Sequence, residues 1–209
     1  MNVAVWALIG YAAGTFPSTW VVAIAAGKRA VLDRVRRDVG EADAHVLLSE
    51  SGGRAAQIAA ALDVIKGFAP VVVATTLTDP YAIAACAVGA VAGHCWPPYF
   101  TRYAGRGLAA GAGALLGFVP LEMVVAGVVR ILGGFVRAGG LASTIGYVSV
   151  PVIAALRRQP PPYVVAAVAI NVLIFARRLE GFTEDLADGT SRTRAVLRRA
   201  VLDSSGAPR

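Results

Sequence analysis

The sequence predicts an all-α integral membrane protein with about seven transmembrane helices, some of them short or broken. Hydrophobic residues make up 56% of the 209 residues, charged residues only 16%, and the mean hydropathy is +0.63. Soluble domains carry about 25% charged residues, so the long apolar runs indicate a membrane environment. We find no internal repeat and no separate soluble domain. Residues 1–202 are therefore predicted to form one polytopic membrane domain, and residues 203–209 a disordered tail.

The first two spans set the orientation. Val3–Ala26 is predicted to be a transmembrane helix rather than a signal peptide, because no basic residue precedes it and five follow it. Basic residues favour the cytoplasmic side, which puts the N-terminus outside and residues 28–54 inside. The second span, Ala55–Leu77, contains Asp63 and Lys66 on one helix face. We expect these two either to pair or to let Lys66 reach an interface, and we assign both as supports within the span.

The number of spans depends on Pro120, because proline ends or kinks a helix. If Leu108–Arg130 is a single span, the protein has six spans and its arginine-rich tail lies outside, which conflicts with the positive-inside bias. If Leu108–Phe118 is a separate short crossing, the protein has seven spans and its C-terminus lies in the cytoplasm. We prefer the seven-span alternative. Eleven helical residues cover roughly 16 Å, about half the hydrocarbon core, so this piece needs protein or a water-filled cleft around it. The other predicted spans are Tyr81–Pro97, Leu121–Val136, Leu141–Leu156 and Tyr163–Ala176.

The stretch GHCWPPYFTRYAGRG, residues 93–107, predicts a phosphate-binding loop at the cytoplasmic face. Gly105 and Gly107 let the backbone approach a ligand closely, and the guanidinium of Arg106 matches phosphate oxygens. Arg102 is a possible helper, and the helix that follows adds partial positive charge at its N-terminus. The alternative is a positively charged loop that only fixes topology.

Two further residues are candidates for the chemistry. His94, the histidine beside this loop, is a candidate general base; the alternative is a histidine bonded to a backbone carbonyl at the interface. Glu180 could orient a substrate or pair with Arg177. The sequence lacks metal-ligand spacing, so we expect no metal. It also lacks a Ser-His-Asp order, and we expect no cofactor. The net charge of +7 comes with arginines at span ends and in the tail, which indicates membrane lipids rather than nucleic acid as the partner.

Four motifs, in order, resemble the bacterial acyl-phosphate:glycerol-3-phosphate acyltransferase family. GTFPSTWVVA resembles the family's G-S-[IF]-P-x-x-x-[IL], and LDVIKGFAPV resembles L-D-x-x-K-G-x-x-P-V. The stretch from residue 93 to residue 120 is similar to G-H-x-F-P…F-x-G-G-K-G-V-A-T…P. RRLEGFTEDLADGT, residues 177–190, looks like the R-H-x-E-N-I-x-R-L-x-x-G-T/S tail.

The resemblance implies a seven-span inner-membrane enzyme that moves a fatty acyl group from acyl phosphate to glycerol 3-phosphate for phospholipid biosynthesis. It implies site roles for Arg106 in the family's G-G-K-G, for Arg178 at the family's histidine position, and for Glu180. The first loop departs from the family, since VGEADAHVLLS at 39–49 lacks the family's serine, asparagines, threonine and arginine. This departure motivates an alternative, a catalytically degenerate member that binds lipid or phosphate or modulates an active partner. A small transporter is the third interpretation, and the oligomeric state stays open.

Overall fold

The computed structural model describes residues 2–27, 53–99, 105–136, 138–180, 186 and 189–197, and the described part is all-α apart from turns. The chain divides into two compact units, Met1–Phe118 and Val119–Arg209. Residues 28–52 of the predicted first cytoplasmic loop, Arg102 and the predicted tail lie outside the described residues. The helices of the first unit are α1 (Val3–Gly14), α2 (Ser18–Ala25), α3 (Gly53–Leu77), α4 (Pro80–Cys95) and α5 (Leu108–Phe118). Those of the second are α6 (Pro120–Phe135), α7 (Gly139–Leu156), α8 (Pro161–Leu179) and α9 (Arg192–Val196).

Helices occupy all seven positions that the sequence assigns to spans, which confirms the all-α membrane class. Within the described residues, four helical stretches are long and apolar enough to cross a membrane: Val3–Ala25, Gly53–Leu77, Gly139–Leu156 and Pro161–Leu179. Helices α4 and α5 are apolar but shorter. Helix α5 has eleven residues, as predicted, and about half of its residues are buried in the first unit. Seven crossings therefore remain a prediction, while the short α5 and a break between helices beside Pro120 are confirmed.

The first predicted span is not one continuous helix, which corrects the sequence interpretation. Helix α1 ends at Gly14 and α2 begins at Ser18, with Pro17 between them. Proline has no N–H and its ring disfavours a continuous helix, so carbonyl groups at the break need other donors. Thr15 Oγ1 donates to Ala12 O at 2.7 Å, and the Tyr99 hydroxyl donates to Thr15 O.

Glycines let the helices of the first unit approach to backbone contact. A Cβ built on Gly10 or Gly14 of α1 would lie 2.0 Å from a carbonyl oxygen of α4. Gly89 and Gly93 of α4 face α1 in the same way, at 2.2 and 2.1 Å. Small residues four apart on both helices are the pattern that allows close packing in a membrane. This close packing, which includes Gly93, holds the end of α4 beside the break in the first span.

Helices α3 and α5 also pack through glycines that bring their backbones into contact. A Cβ on Gly67 would lie 2.1 Å from Ala110 O, and one on Gly113 would lie 1.9 Å from Val64 O. The short α5 is thus fixed against the long α3 by backbone contact. This contact positions the N-terminal end of α5, and the loop that leads into it, relative to the polar face of α3.

In the second unit a buried acid joins α6 to the end of α7. Glu122, in the first turn of α6, is fully buried, and its Oε1 accepts from Arg157 Nη1 at 2.8 Å and from Gln159 Nε2 at 3.1 Å. Farther along, Asn171 Nδ2 of α8 donates to Tyr147 O of α7 at 3.0 Å, a hydrogen bond between two helices. Both contacts tie helix pairs together through groups that are costly to leave unpaired in an apolar setting.

Candidate functional site

The polar face of α3 carries a buried ion pair. Lys66 Nζ lies 2.8 Å from Asp63 Oδ1, and the two side chains are only 9% and 5% exposed. Of the two alternatives for these residues, pairing is the one that the structure shows. Lys66 Nζ also donates to Phe16 O at 2.8 Å, so it supplies one of the donors that the broken first span needs. An ammonium group has three donors, which allows it to serve the carboxylate and the carbonyl at once.

His94 lies next to this pair, near the C-terminal end of α4. Its Nδ1 is 3.5 Å from Asp63 Oδ1, and its side chain is 6% exposed. This distance is that of an ion pair or a long electrostatic contact rather than of a good hydrogen bond. The other ring nitrogen faces the loop before α5, because a Cβ on Gly105 would lie 2.3 Å from His94 Nε2. The imidazole therefore separates the Asp63 carboxylate from the Gly105 backbone.

The predicted phosphate-binding residues Gly105, Arg106 and Gly107 lead directly into α5. Gly105 and Gly107 are buried and Arg106 is half-buried. Gly107 has φ +85°, a left-handed conformation that favours glycine, and its carbonyl accepts the first helical bond, from Gly111 N at 2.7 Å. The helix dipole gives this end of α5 a partial positive charge, to which Arg106 adds a full one.

Two predicted site residues, Arg178 and Glu180, belong to the second unit. The buried Arg178 donates from Nη1 to Thr144 Oγ1 at 2.9 Å, and its guanidinium stacks over the Phe175 ring with the carbon 5.6 Å from the centroid. Glu180 forms an ion pair with Arg177, which is the structural alternative named for it from the sequence. The structure thus joins Asp63, Lys66, His94 and Gly105 within the first unit, and shows Arg178 and Glu180 held by neighbours within the second.

Sequence reasoning missed several polar contacts. The carbonyl groups of Thr15 and Phe16, and the donors Tyr99 and Lys66 that reach them, were not anticipated, although Pro17 inside an apolar run signals a break. Glu122 was missed too, although a lone acid in an apolar segment is itself a signal of a buried partner. Among the described residues, no three His, Cys, Asp or Glu side chains gather as a metal site requires.

This arrangement is suited to holding an anion at the start of α5. An arginine, a glycine-containing loop and a helix N-terminus follow one another directly in the chain, and each favours negative charge. Behind them, the Asp63–Lys66 pair and His94 form a buried polar layer rather than an open cavity. Such a layer of fixed polar groups can stabilise a charged group that is bound beside it.

Comparison with known proteins identifies the family. Residues 4–186 match the model of the family described as glycerol-3-phosphate acyltransferase. The chain is 32% identical over 189 residues to the glycerol-3-phosphate acyltransferase of Rubrobacter xylanophilus, covering 88% of this chain and 92% of the relative. It is 29% identical over 185 residues to glycerol-3-phosphate acyltransferase 3 of Dehalococcoides mccartyi, covering 80% and 84%.

Solved structures show the same fold. The crystal structure of PlsY (YgiH), an integral membrane glycerol 3-phosphate acyltransferase, in its glycerol 3-phosphate form matches with a TM-score of 0.75 and 23% identity, over 90% of this chain and 94% of that chain. Its lysophosphatidic acid form matches with a TM-score of 0.74 and 21% identity, over 94% and 100%. The sequence relatives and the shared fold favour an enzyme over the degenerate-member and transporter alternatives. The chain belongs to the glycerol-3-phosphate acyltransferase family of integral membrane enzymes.

Proposed function

We propose that this protein transfers a fatty acyl group from acyl phosphate to glycerol 3-phosphate, yielding lysophosphatidic acid for phospholipid biosynthesis. The observation that carries the proposal is the Gly105–Gly107 turn at the start of α5, with the half-buried Arg106 between two buried glycines. Both substrates carry a phosphate, and this turn offers the donors that a phosphate needs.

The reaction needs little more than positioning and charge stabilisation. The glycerol hydroxyl oxygen bonds to the acyl carbon, the bond from that carbon to the phosphate oxygen breaks, and the hydroxyl proton ends on the leaving phosphate. Negative charge develops on the acyl oxygen and on the leaving group, and fixed donors that meet this charge lower the barrier. Arg106 supplies such a charge. The sequence nominates His94 as an alternative proton acceptor, a role that its buried position between Asp63 and Gly105 does not favour.

Roles for Arg178 and Glu180 belong to the same proposal. Arg178 would supply further positive charge, and Glu180 would hold the orientation of the C-terminal end of α8 through its ion pair with Arg177. Because both arginines are buried and held by neighbours, replacing either removes structure as well as charge. The Arg178→Lys variant keeps the charge but loses the planar stacking on Phe175, and so separates the two contributions.

We further propose that the protein resides in the bacterial inner membrane as one domain over residues 1–202, with the N-terminus outside and the C-terminus in the cytoplasm. The basic residues after the first span and in the C-terminal segment support this orientation. It places the Gly105–Gly107 loop on the cytoplasmic side, where both phosphorylated substrates occur. Labelling of single cysteines introduced at Asn2 and Gly189 in intact cells and in broken cells tests the orientation.

Acyl transfer by the purified protein tests the function. With acyl phosphate and glycerol 3-phosphate we expect lysophosphatidic acid, and with an acyl thioester in place of acyl phosphate we expect none. Product formation should fall in Arg106→Ala and persist in the control Arg130→Ala, which removes an exposed arginine of α6. Glycerol 3-phosphate binding without turnover would instead indicate the degenerate-member alternative, and solute flux in liposomes would indicate a transporter.

A further inference from the structure

Three side chains, each no more than 9% exposed, connect the break in the first span to the proposed phosphate loop. Lys66 Nζ donates to Phe16 O and contacts Asp63 Oδ1, each at 2.8 Å. The same carboxylate oxygen lies 3.5 Å from His94 Nδ1. On its far side the imidazole packs against Gly105, where a Cβ would come within 2.3 Å of Nε2. A continuous series of contacts thus runs from the Phe16 carbonyl to the loop.

We propose that Asp63, Lys66 and His94 are positioning residues that set where the Gly105–Gly107 loop lies, and thereby the affinity for the phosphorylated substrate. This inference rests on the proposed phosphate-binding role of that loop. The three side chains themselves neither contact the substrate nor transfer a proton. They act through the backbone of Gly105, in the way that outlying partners orient the groups that touch a ligand.

The orientation of His94 supports positioning rather than proton transfer. A general base must come within about 2.6–3.2 Å of the proton that it removes. One ring nitrogen of His94 is directed at Asp63, the other at Gly105, and the side chain is only 6% exposed. Both ring nitrogens thus lie next to protein groups, and the imidazole sets the distance between the Asp63 carboxylate and the loop.

Lys66 makes the two ends of the series interdependent. Its ammonium neutralises Asp63 and also caps the carbonyl at the break before Pro17. If Lys66 loses its charge, the buried carboxylate is left without its cation, and Phe16 O keeps only the Ser18 N–H, at 3.0 Å, of its two donors. His94 is then the neighbour left to interact with the Asp63 carboxylate, and this attraction should draw the imidazole away from Gly105. The loop should relax into the space, and its donors should no longer meet the phosphate.

Kinetics of conservative variants test this inference. Asp63→Asn keeps the shape and removes the charge, Lys66→Met keeps the length and removes the donors, and Lys66→Arg keeps the charge. The control is Asp79→Asn, because the exposed Asp79 caps the start of α4 and asparagine caps equally well. For each variant we would measure kcat and KM for glycerol 3-phosphate, and binding of glycerol 3-phosphate by calorimetry without the acyl donor.

We expect Asp63→Asn and Lys66→Met to raise KM about tenfold while kcat stays within about threefold, the pattern of lost uniform binding. Lys66→Arg should stay within about threefold of the wild type in both constants. If Lys66→Met does not fold, the contrast between Asp63→Asn and Lys66→Arg carries the test. Unchanged KM in Asp63→Asn would overturn the inference, and so would a loss of about a hundredfold or more in kcat at unchanged KM, which is the size of a general-base effect.

The binding measurement separates this inference from the proposed function. If the wild type binds glycerol 3-phosphate without turnover, and Asp63→Asn weakens that binding about tenfold, the proposed function is wrong and the positioning role stands. If the wild type turns over and Asp63→Asn leaves KM and binding unchanged, the positioning role is wrong and the function stands. A wild type that neither binds nor turns over rejects both.

Discussion

Replacing Gly105 with alanine should disable the loop by steric displacement alone. The new Cβ would lie 2.3 Å from His94 Nε2, whereas ordinary contacts begin at 3.4 Å, so either the ring or the loop must move by about 1 Å. The His94 ring contacts Asp63 on its other side and is almost fully buried, so we expect the loop to move rather than the ring. A misplacement of about 1 Å in a substrate-positioning element can lower the rate by up to about a hundredfold. We predict that kcat/KM for glycerol 3-phosphate falls roughly 10- to 100-fold.

A double-mutant cycle isolates the cause. His94→Ala removes the obstructing ring, so adding Gly105→Ala in that background should lower kcat/KM by less than about threefold. The control is Gly127→Ala in α6, because a Cβ there meets no atom within 4 Å and should leave the kinetics unchanged. Wild-type activity in Gly105→Ala would refute the reasoning. So would an equal loss in both backgrounds, because the two residues would then act independently.

Three further predictions concern stability in detergent, read from thermal unfolding. Gly14→Ala places a Cβ 2.0 Å from a carbonyl oxygen of α4 and should destabilise by about 1–3 kcal/mol, so an unshifted midpoint would contradict the glycine contact. Arg157→Met leaves the fully buried Glu122 without its cation and should destabilise by about 1–3 kcal/mol, more than Arg157→Lys. The hydrogen bond from the N–H of Ala82 holds the pKa of Asp79 below its ordinary value. The stability that Asp79 adds as a helix cap is therefore present above the ordinary pKa and is lost as the pH falls through the lowered pKa. Asp79→Ala should make the protein lose less stability on acidification than the wild type does.

Helix positions followed closely from the sequence, because apolar composition and Pro120 mark the ends of the membrane segments. The eleven-residue helix Leu108–Phe118 was predicted to the residue, and the next helix starts at Pro120. The break at Pro17 was not predicted, since the apolar run of Val3–Ala26 is uninterrupted in hydropathy. A proline can either kink a helix or end it, and at this break the donors include Lys66, which comes from a distant part of the chain.

The candidate site was predicted in its parts rather than in its connections. Residue types and spacing pointed to Arg106 with its glycines, to His94, and to the Asp63–Lys66 pair. No local pattern shows that His94 is inserted between Asp63 and Gly105, because that depends on the packing of α4 against α1 and of α3 against α5. The glycines that allow this packing are visible in the sequence, but their partners are not.

The most direct test of the central claim is the kinetic constants for glycerol 3-phosphate in Arg106→Ala and Arg106→Lys, with acyl phosphate as donor. If Arg106 and the adjacent backbone hold the substrate phosphate, Arg106→Ala should raise KM at least about tenfold and lower kcat much less. Arg106→Lys, which restores a charge but not the guanidinium fork, should fall between Arg106→Ala and the wild type. An unchanged KM in Arg106→Ala, or a large loss of kcat at unchanged KM, would contradict the account.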